Sequence, residues 1–207
     1  METADVFKFL QEQIHTTVIA TNDQNGNPVT CAVDIMDYDE KKLYFLTAKG
    51  KNFYERLIDK KYIAVTGLKG SDTMHSISVS VRGNVREIGM QRLKRLFQKN
   101  EYMYEIYPDE KSREALTVFQ IYSGNGELFD LSKKPIERYS FSFGNAENTE
   151  SGYYVTDKCK LCRECLAVCP QKCIDTEEKT VRINQTNCLH CGNCLEICRF
   201  GAVEKRG

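Results

Sequence analysis

The sequence predicts two domains of different class: a mainly β barrel with a few helices, followed by a small α+β module rich in cysteine. Three observations predict this division. Short apolar runs with the alternation of strands fill the first 143 residues. Nine of the ten cysteines fall between Cys159 and Cys198. A polar, glycine-flanked segment, residues 144–152, lies between these regions and is predicted to be a linker. We therefore expect domains at residues 1–143 and 153–207.

The elements of the first domain follow from hydrophobic periodicity. Apolar residues at helical spacing predict helices at residues 3–14, 51–60 and 91–104. Alternating or β-branched runs predict strands at residues 16–21, 29–35, 43–47, 62–68 and 76–88. Two further runs, residues 117–122 and 127–131, flank Gly124-Asn125-Gly126 and predict a hairpin. Strands that follow one another with few helices between them predict an antiparallel barrel.

Composition excludes several classes of function. The 29 basic and 29 acidic residues balance, which argues against a protein that binds nucleic acid through bulk charge. No apolar run approaches the roughly 20 residues that span a bilayer, so no membrane association is expected. The first ten residues mix charged and apolar side chains and do not resemble a secretory signal. The sequence therefore predicts a cytoplasmic protein, and dense cysteine in that compartment indicates metal or redox chemistry rather than disulfides.

The cysteine module contains an internal repeat. Each half carries the pattern C-x2-C-x2-C-x3-C, and the second half follows the first at an offset of 29 residues. Three thiolates on one tight loop can reach three irons of a cubane, and the fourth cysteine of each run serves the other cluster in two-cluster ferredoxins. The pattern thus predicts two [4Fe–4S] clusters. Cluster one takes Cys159, Cys162, Cys165 and Cys198, and cluster two takes Cys188, Cys191, Cys194 and Cys169.

Zinc is the competing interpretation of these cysteines, with disulfides a further alternative. Zinc sites use separated C-x2-C pairs, and a third and fourth cysteine in each run exceed what a tetrahedral ion needs. The repeat aligns the ninth cysteine of the module, Cys173, with Ala202. We expect Cys173 to be structural, the alternative being a spare or exchangeable ligand. His190, between two predicted ligands, is expected to be an exposed loop residue, the alternative being a hydrogen bond that tunes a cluster.

Two resemblances support these interpretations. The module resembles a clostridial-type ferredoxin over nearly its whole length. The first domain resembles the pyridoxamine 5′-phosphate oxidase-like flavoproteins, which are FMN-binding split barrels. The segments that carry this second resemblance are Gly26-Asn27-Pro28, residues 43–47 followed by Ala48-Lys49-Gly50-Lys51, residues 62–66, and residues 81–88.

The second resemblance implies FMN bound at the interface of a homodimer that forms through the barrel domain. By position, Lys49 and Lys51 would hold the FMN phosphate, and both precede a predicted helix whose N-terminus favours anions. The alternative is two solvated lysines. The other positions that match flavin contacts are Leu46 and Thr47, Thr30, Cys31 and Ala32 on a neighbouring strand, and Ser78 on the long strand.

One residue departs from the pattern of the oxidases. Cys31 stands where those enzymes carry a phosphate-binding arginine. The resemblance therefore does not imply pyridoxamine phosphate as the substrate, and Cys31 is itself expected to be a buried strand cysteine rather than a flavin contact.

The combined domains predict a flavin- and iron–sulfur-dependent oxidoreductase. The clusters would relay single electrons between a redox partner and FMN, and FMN would react with a small donor or acceptor. A second hypothesis is a non-catalytic redox carrier or sensor that exchanges electrons only with partner proteins. A third is a split barrel that binds heme, a deazaflavin or no cofactor. His15 and His75 are the candidate proton-transfer residues, but neither lies in a motif.

Overall fold

The computed structural model describes residues 1–147, 151–177 and 180–207. It confirms the predicted fold class, a mainly β first domain with few helices and a small C-terminal module. Of the predicted linker, residues 148–150 lie outside the described residues. Within the described part of the chain, no helix is both long enough and apolar enough to cross a membrane.

The elements of the first domain lie close to their predicted positions. Its helices are α1 (Thr3–Phe9), continued by a π-helical turn (Leu10–Ile14), α2 (Asn52–Lys60), α3 (Leu93–Lys99), α4 (Met103–Ile106) and α5 (Glu110–Arg113). Its strands are β1 (Thr16–Asn22), β2 (Pro28–Asp34), β3 (Asp37–Asp39), β4 (Lys42–Ala48), β5 (Tyr62–Gly70), β6 (Ser76–Gly89), β7 (Leu116–Asp130) and β8 (Glu137–Phe143).

These strands form one antiparallel sheet with the order β2-β1-β5-β6-β7-β4-β3, and β8 pairs with β7. The division of the barrel arises at β7. Its first half pairs with β4, from Leu116 to Ile121, and its second half pairs with β8, from Gly124 to Asp130. Strand β6 runs along the opposite edge of β7 for nearly its whole length. One long strand therefore belongs to two diverging halves of the sheet.

The predicted hairpin at Gly124-Asn125-Gly126 is wrong, because these residues continue β7. The glycines serve close packing rather than a turn. A Cβ atom at Gly124 would lie 2.2 Å from the carbonyl oxygen of Arg82, and one at Gly126 would lie 2.3 Å from the ring of Phe141. A glycine within a strand marks such close approaches as well as turns.

Two apolar layers cover the two faces of the sheet. The barrel interior holds Phe7 of α1, the stacked rings of Phe45 and Phe119, whose centroids are 5.7 Å apart, and the inward residues of the other strands. Between the outer face and α3 lies a second layer that includes Leu96, Leu116 and Val118. Successive side chains of β7 therefore point into opposite layers, because side chains alternate between the two faces of a strand.

The predicted helix at residues 91–104 is divided into α3 and α4 at Asn100. The buried amide of Asn100 donates to the carbonyl oxygens of Leu96, at 2.7 Å, and of Met36, at 2.9 Å, so it ends α3 and ties that helix to the sheet. A second polar tie is the fully buried carboxylate of Asp37, which α3 surrounds with Arg92, Arg95 and Lys99 at 2.5–3.2 Å.

The cysteine module has pseudo-twofold symmetry. Strand β9 (Gly152–Val155) pairs with β12 (Val203–Arg206), and β10 (Ile174–Glu177) pairs with β11 (Thr180–Ile183). Helix α6 (Glu164–Val168) in the first half corresponds to α7 (Asn193–Glu196) in the second, at the offset of the sequence repeat. The fold of the module therefore repeats its sequence.

Candidate functional site

Two cavities in the module are each lined by one of the two predicted sets of four cysteines. One is lined by Cys159, Cys162 and Cys165 from the first half and by Cys198 from the second. The other is lined by Cys188, Cys191 and Cys194 from the second half and by Cys169 from the first. The fold thus brings together the two crossed sets of thiols that the spacing predicts.

The loops around these cavities have an unusual backbone that is repeated in both halves. Leu161, Arg163 and Lys172 have positive φ angles of 50–64°, although they are not glycine. Their counterparts 29 residues later, His190, Gly192 and Gly201, also have positive φ. Such strained positions concentrate at functional sites. They direct backbone N–H groups toward the sulfurs: Leu161 donates to Sγ of Cys159 at 3.5 Å, and His190 donates to Sγ of Cys188 at 3.4 Å.

The donor geometry fits a cubane cluster. Among the described residues, no three His, Cys, Asp or Glu side chains lie close enough together to hold a single metal ion. A zinc ion requires four ligands around one point, whereas the four thiolates of a cubane bind four separate irons. Inward N–H groups supply the hydrogen bonds to sulfur that iron–sulfur sites use. Four thiols around each cavity, with backbone N–H groups that point at sulfur, therefore suit [4Fe–4S] chemistry.

Burial and neighbouring thiols raise the pKa of two of these cysteines, one in each cavity. Burial, assisted by the neighbouring thiol of Cys188, raises the pKa of Cys194 to about 11. Burial also raises the pKa of Cys165, with further contributions from the other thiols of its cavity. A raised pKa favours the protonated thiol, whereas bound iron would favour the thiolate because iron is a cation. Loading the module with clusters is therefore coupled to the release of protons.

The second cavity contains a fifth thiol. Cys173 lines it, is only 6% exposed, and has its Sγ 3.5 Å from Sγ of Cys169. Burial, together with the thiols of Cys169 and Cys188, raises the pKa of Cys173 above its ordinary value. At the equivalent place in the first cavity lies Ala202. The two sites therefore differ in composition although their backbones match.

The loop of the second cavity is joined to the barrel by Arg138 of β8. The Arg138 guanidinium donates to the carbonyl oxygen of Cys188 at 3.1 Å, forms an ion pair with Glu127 of β7, and lies 4.9 Å from the centre of the Phe129 ring. Its side chain is only 14% exposed. This bridge ties the loop that carries Cys188 to strand β8 of the barrel.

Two further hydrogen bonds reinforce this junction. The amide of Asn187 donates to the carbonyl oxygen of Ile136 at 3.0 Å, and the backbone of Ile136 donates to Oε1 of Gln171 at 3.2 Å. Residues from both halves of the module therefore hold the segment that leads into β8.

His190 is not the exposed loop residue that the sequence predicted. It is half-buried beside the Tyr153 ring, with centroids 6.2 Å apart, and its Nε2 is a buried atom with no hydrogen-bond partner among the described residues. Burial and the charge of Arg138 lower its pKa. Strand β9 of the module, at Gly152 and Tyr153, lies against this side chain.

The residues that match flavin contacts lie in two places. Lys51 is the N-cap of α2 and is exposed, like Lys49 two residues earlier, and no side chain in the described chain caps this helix. Leu46 and Thr47 precede them on β4; Leu46 is half-buried, and Thr47 is only 4% exposed. Strand β2 carries its three candidate residues: Thr30 and Ala32 are exposed, whereas Cys31 is half-buried and packs against the barrel core.

Sequence reasoning missed one residue of this region, Arg56. Burial raises the pKa of Cys31, while the nearby charges of Arg56 and Lys51 oppose that rise. Arg56 projects from α2 and donates to Oγ1 of Thr21 at 2.8 Å. A guanidinium from α2 therefore lies near Cys31, the position that lacks the arginine of the oxidases. The position of Arg56 on a predicted helix was visible in the sequence, but its neighbour on β2 was not.

Ser78 is not brought together with the lysines in one chain. Lys49 donates its backbone N–H to Ala115, just before β7 begins, whereas Ser78 pairs with Phe129 near the end of β7. Beyond Ser78, along β6, the outer face of the sheet is open, and a cavity of about 340 Å³ lies there. Its lining includes the small or polar residues Ala64, Thr66, Ser80, Arg82, Glu127 and Ser140, and also Val65, Val81 and Phe141.

Comparison with models of protein families gives two matches. Residues 3–124, more than half of the chain, match the family described as Pyridoxamine 5'-phosphate oxidase. Residues 151–199 match the 4Fe-4S dicluster domain. The two matches correspond to the barrel and to the cysteine module. An iron–sulfur dicluster domain joined to a barrel of this type indicates electron transfer.

Curated relatives match over short stretches. Ferredoxin-1 of Caulobacter vibrioides is 37% identical over 54 residues, which make up 25% of this chain and 48% of that protein. The pyruvate synthase subunit PorD of Methanothermobacter marburgensis is 40% identical over 48 residues, 23% of this chain and 56% of that protein. The indolepyruvate oxidoreductase subunit IorA of Pyrococcus horikoshii is 39% identical over 51 residues, 24% and 8% respectively. The chain spans less than two thirds of each relative.

Solved structures share the fold of the barrel. A NimC/NimA family protein from Clostridium acetobutylicum has a TM-score of 0.52 at 17% identity and covers 67% of this chain and 92% of its own. A pyridoxinephosphate oxidase family protein from the same organism has a TM-score of 0.51 at 19% identity, covering 66% and 95%. A heme binding protein from Mycobacterium smegmatis has a TM-score of 0.54 at 11% identity, covering 69% and 58%. At these identities the likeness establishes the fold alone.

Proposed function

This chain belongs to the pyridoxamine 5′-phosphate oxidase family, and from that premise we propose that it is an oxidoreductase in which two [4Fe–4S] clusters and FMN exchange electrons. Bound FMN would exchange electrons in pairs with a small molecule and singly with a cluster, so the two cofactors together would convert between these modes. The residues of the chain would bind both cofactors, determine which cluster lies nearer to the flavin, and hold the two domains together.

Two crossed sets of cysteines hold the clusters in this proposal. Cluster one has the ligands Cys159, Cys162, Cys165 and Cys198, and cluster two has Cys188, Cys191, Cys194 and Cys169. The support is the pair of cavities that these thiols line and the repeated backbone that points N–H groups at sulfur. Because each cluster takes one ligand from the opposite half, binding either cluster would stabilise the whole module.

The flavin phosphate binds at the start of α2. Lys49 and Lys51 supply charge, and the uncapped N-terminus of this nine-residue helix supplies backbone N–H groups. Arg56 supplies the guanidinium that is absent at Cys31. Backbone and side chains near Leu46, Thr47 and the β2 residues Thr30 and Ala32 would border the rest of the flavin.

A homodimer completes the flavin site. Ser78 and the lysines lie at opposite ends of β7, so one chain does not present them to the same ligand. A second protomer that packs on the open sheet face would bring them together. That face carries the exposed apolar side chains Val18, Tyr62 and Leu68, which a partner would cover.

The observation that carries the proposal is the Arg138 bridge. It ties the backbone of Cys188 to the barrel, and its ion-pair partner Glu127 lines the cavity on the open face of the sheet. Cluster two is therefore the cluster beside the barrel. Cluster one would exchange electrons with a redox partner protein. Relatives that are subunits of pyruvate synthase and indolepyruvate oxidoreductase support the expectation of such partners.

The cofactor content of protein purified without oxygen tests the proposal. We expect about eight irons and one FMN per chain, with broad iron–sulfur absorbance overlaid by flavin bands. Lys49→Ala/Lys51→Ala should weaken FMN binding and leave the iron content unchanged. As the matched control, Lys60→Ala/Lys61→Ala at the other end of α2 should change neither. Eight irons without flavin bands, or with a heme spectrum instead, would remove FMN from the account.

A non-catalytic carrier or sensor is the second candidate function. It is favoured by the placement of the two histidines considered for proton transfer. His75 is held by Asp72 at 2.8 Å on an exposed turn, and His15 lies 3.2 Å from the hydroxyl of Tyr102; neither lines the cavities described above. A screen of small acceptors against dithionite-reduced protein separates the two functions. Faster reoxidation with one acceptor supports the enzyme, and none supports the carrier.

A further inference from the structure

The two cluster cavities differ in thiol content at one equivalent position. Cys173 lines the cavity of cluster two, and its repeat counterpart Ala202 lines the cavity of cluster one. Both side chains are buried, with 6% and 1% of their surface exposed. Their backbones also play the same part: the carbonyl oxygen of Cys173 accepts from Asn184 at 2.7 Å, and that of Ala202 accepts from Thr156 at 2.8 Å. The repeat therefore supplies an internal control for the thiol.

The thiol of Cys173 faces a ligand of cluster two. Its Sγ lies 3.5 Å from Sγ of Cys169, within the range of a sulfur hydrogen bond. With the cluster bound, Cys169 is a thiolate and only an acceptor. Cys173 is then the only member of the pair with a hydrogen to donate, and the negative charge of the cluster favours its protonated form.

We propose that Cys173 donates an S–H hydrogen bond to the Cys169 thiolate and thereby makes cluster two easier to reduce than it would otherwise be. Reduction adds negative charge to the cluster and its sulfurs, so a donor to a ligand sulfur stabilises the reduced form more than the oxidised form. In cluster one the side chain of Ala202 has no donor, and the equivalent sulfur, Sγ of Cys198, accepts from the backbone N–H of Ala202 at 3.3 Å. This inference rests on the cluster ligation proposed above and concerns the potential of cluster two with and without the thiol.

The test is a redox titration of intact, cluster-loaded protein followed by electron paramagnetic resonance. The clusters are expected to give two one-electron waves. In Cys173→Ala one wave should move to lower potential, and the other should stay in place. The expected shift is a threefold to tenfold change in the equilibrium constant for reduction of that cluster, and tenfold corresponds to about 59 mV. The serine variant, Cys173→Ser, keeps a donor and should restore at least part of the shift.

The repeat provides the reciprocal variant. Ala202→Cys places a thiol beside Cys198 in cluster one and should raise the other wave. It also tests the proposal if Cys173→Ala fails to assemble. Iron content separates the possible failures. Eight irons with neither wave moved, or with both moved alike, would overturn the hydrogen bond while leaving the ligation in place. A fall to about four irons in Cys173→Ala would overturn it in favour of a direct ligand role.

Discussion

The barrel and the cysteine module are held together by different chemistry. The barrel buries large apolar side chains such as Phe7, Phe45 and Phe119, which supply stability without any ligand. In the module, thiols make up much of the buried cluster: Cys173, Cys188 and Cys194 accompany a few apolar residues, among them Val181. A domain this small gains little from such a core. We therefore expect the barrel to fold by burial of apolar surface and the module to depend on bound metal.

Removal of iron gives the largest expected effect. Chelation should abolish protection from hydrogen exchange in residues 153–207 and leave the strands at residues 16–143 protected. The physical reason is that metal binding energy is folding energy in small metal-dependent domains. Mass spectrometry of exchanged peptides measures both regions in one sample. Protection of the module that persists after complete loss of iron would break the comparison.

An intermediate effect is expected at Asp37 in the barrel. Asp37→Asn should lower the free energy of unfolding of the barrel by about 1.5–3 kcal/mol, because Arg92, Arg95 and Lys99 lose their shared charged acceptor. Urea unfolding followed by tyrosine fluorescence measures it. The control is Asp59→Asn, whose exposed ion pair with Lys60 should contribute less than ~1 kcal/mol. Equal effects of the two substitutions would contradict the buried anchor.

The carboxylate of Asp37 also makes the stability of the barrel depend on pH. Burial alone would raise the pKa of Asp37, but hydrogen bonds from Lys99 and Arg95 hold it below its ordinary value. The unfolded chain therefore binds a proton at Asp37 at a higher pH than the folded chain does. Stability from Asp37 is fully present above the ordinary aspartate pKa and is lost as the pH falls through the lower, folded pKa. Asp37→Asn should lose less stability than the native chain over that interval.

Substitution of Arg138 gives the smallest expected effect, and it tests the contact between the barrel and the module. Arg138→Ala should accelerate hydrogen exchange in the junction, at residues 136–138 and 185–190, by roughly fivefold, the equivalent of about 1 kcal/mol. The control is Arg199→Ala, which removes an exposed ion pair with Glu164 inside the module and should leave the junction unchanged. Unaltered exchange in Arg138→Ala would mean that the domains are held together by other contacts.

The fold was predictable where local pattern and final environment agree. Strands β1, β2, β5 and β6 alternate in burial, so their positions were visible. Strand β4 was visible as a short apolar run, because it is covered on both faces. The pattern failed at Gly124 and Gly126, where glycine signals a turn but close packing requires it within β7. It failed again at Asn100, because the hydrogen bond that ends α3 goes to Met36, which is distant in sequence.

The residues of the candidate site were also predictable only where the signal is local in sequence. The cysteine spacing is a local signal, and it predicted which thiols would share a cavity. The contact of Arg138 with Cys188 joins residues 50 positions apart, and the approach of Arg56 to Cys31 joins a helix to a strand. No periodicity encodes such contacts. The burial of His190 was missed for the same reason, since its neighbour Tyr153 is distant in sequence.

The most direct test of the central claim is electron transfer between the two regions of one molecule. Protein loaded with both cofactors is mixed without oxygen with less than one equivalent of a one-electron reductant, and the iron–sulfur and flavin absorbances are followed over a range of protein concentrations. We predict that the clusters are reduced first and the flavin next, at a rate that does not change with protein concentration. A flavin that stays oxidised, or one whose reduction accelerates in proportion to protein concentration, would contradict electron transfer within the molecule.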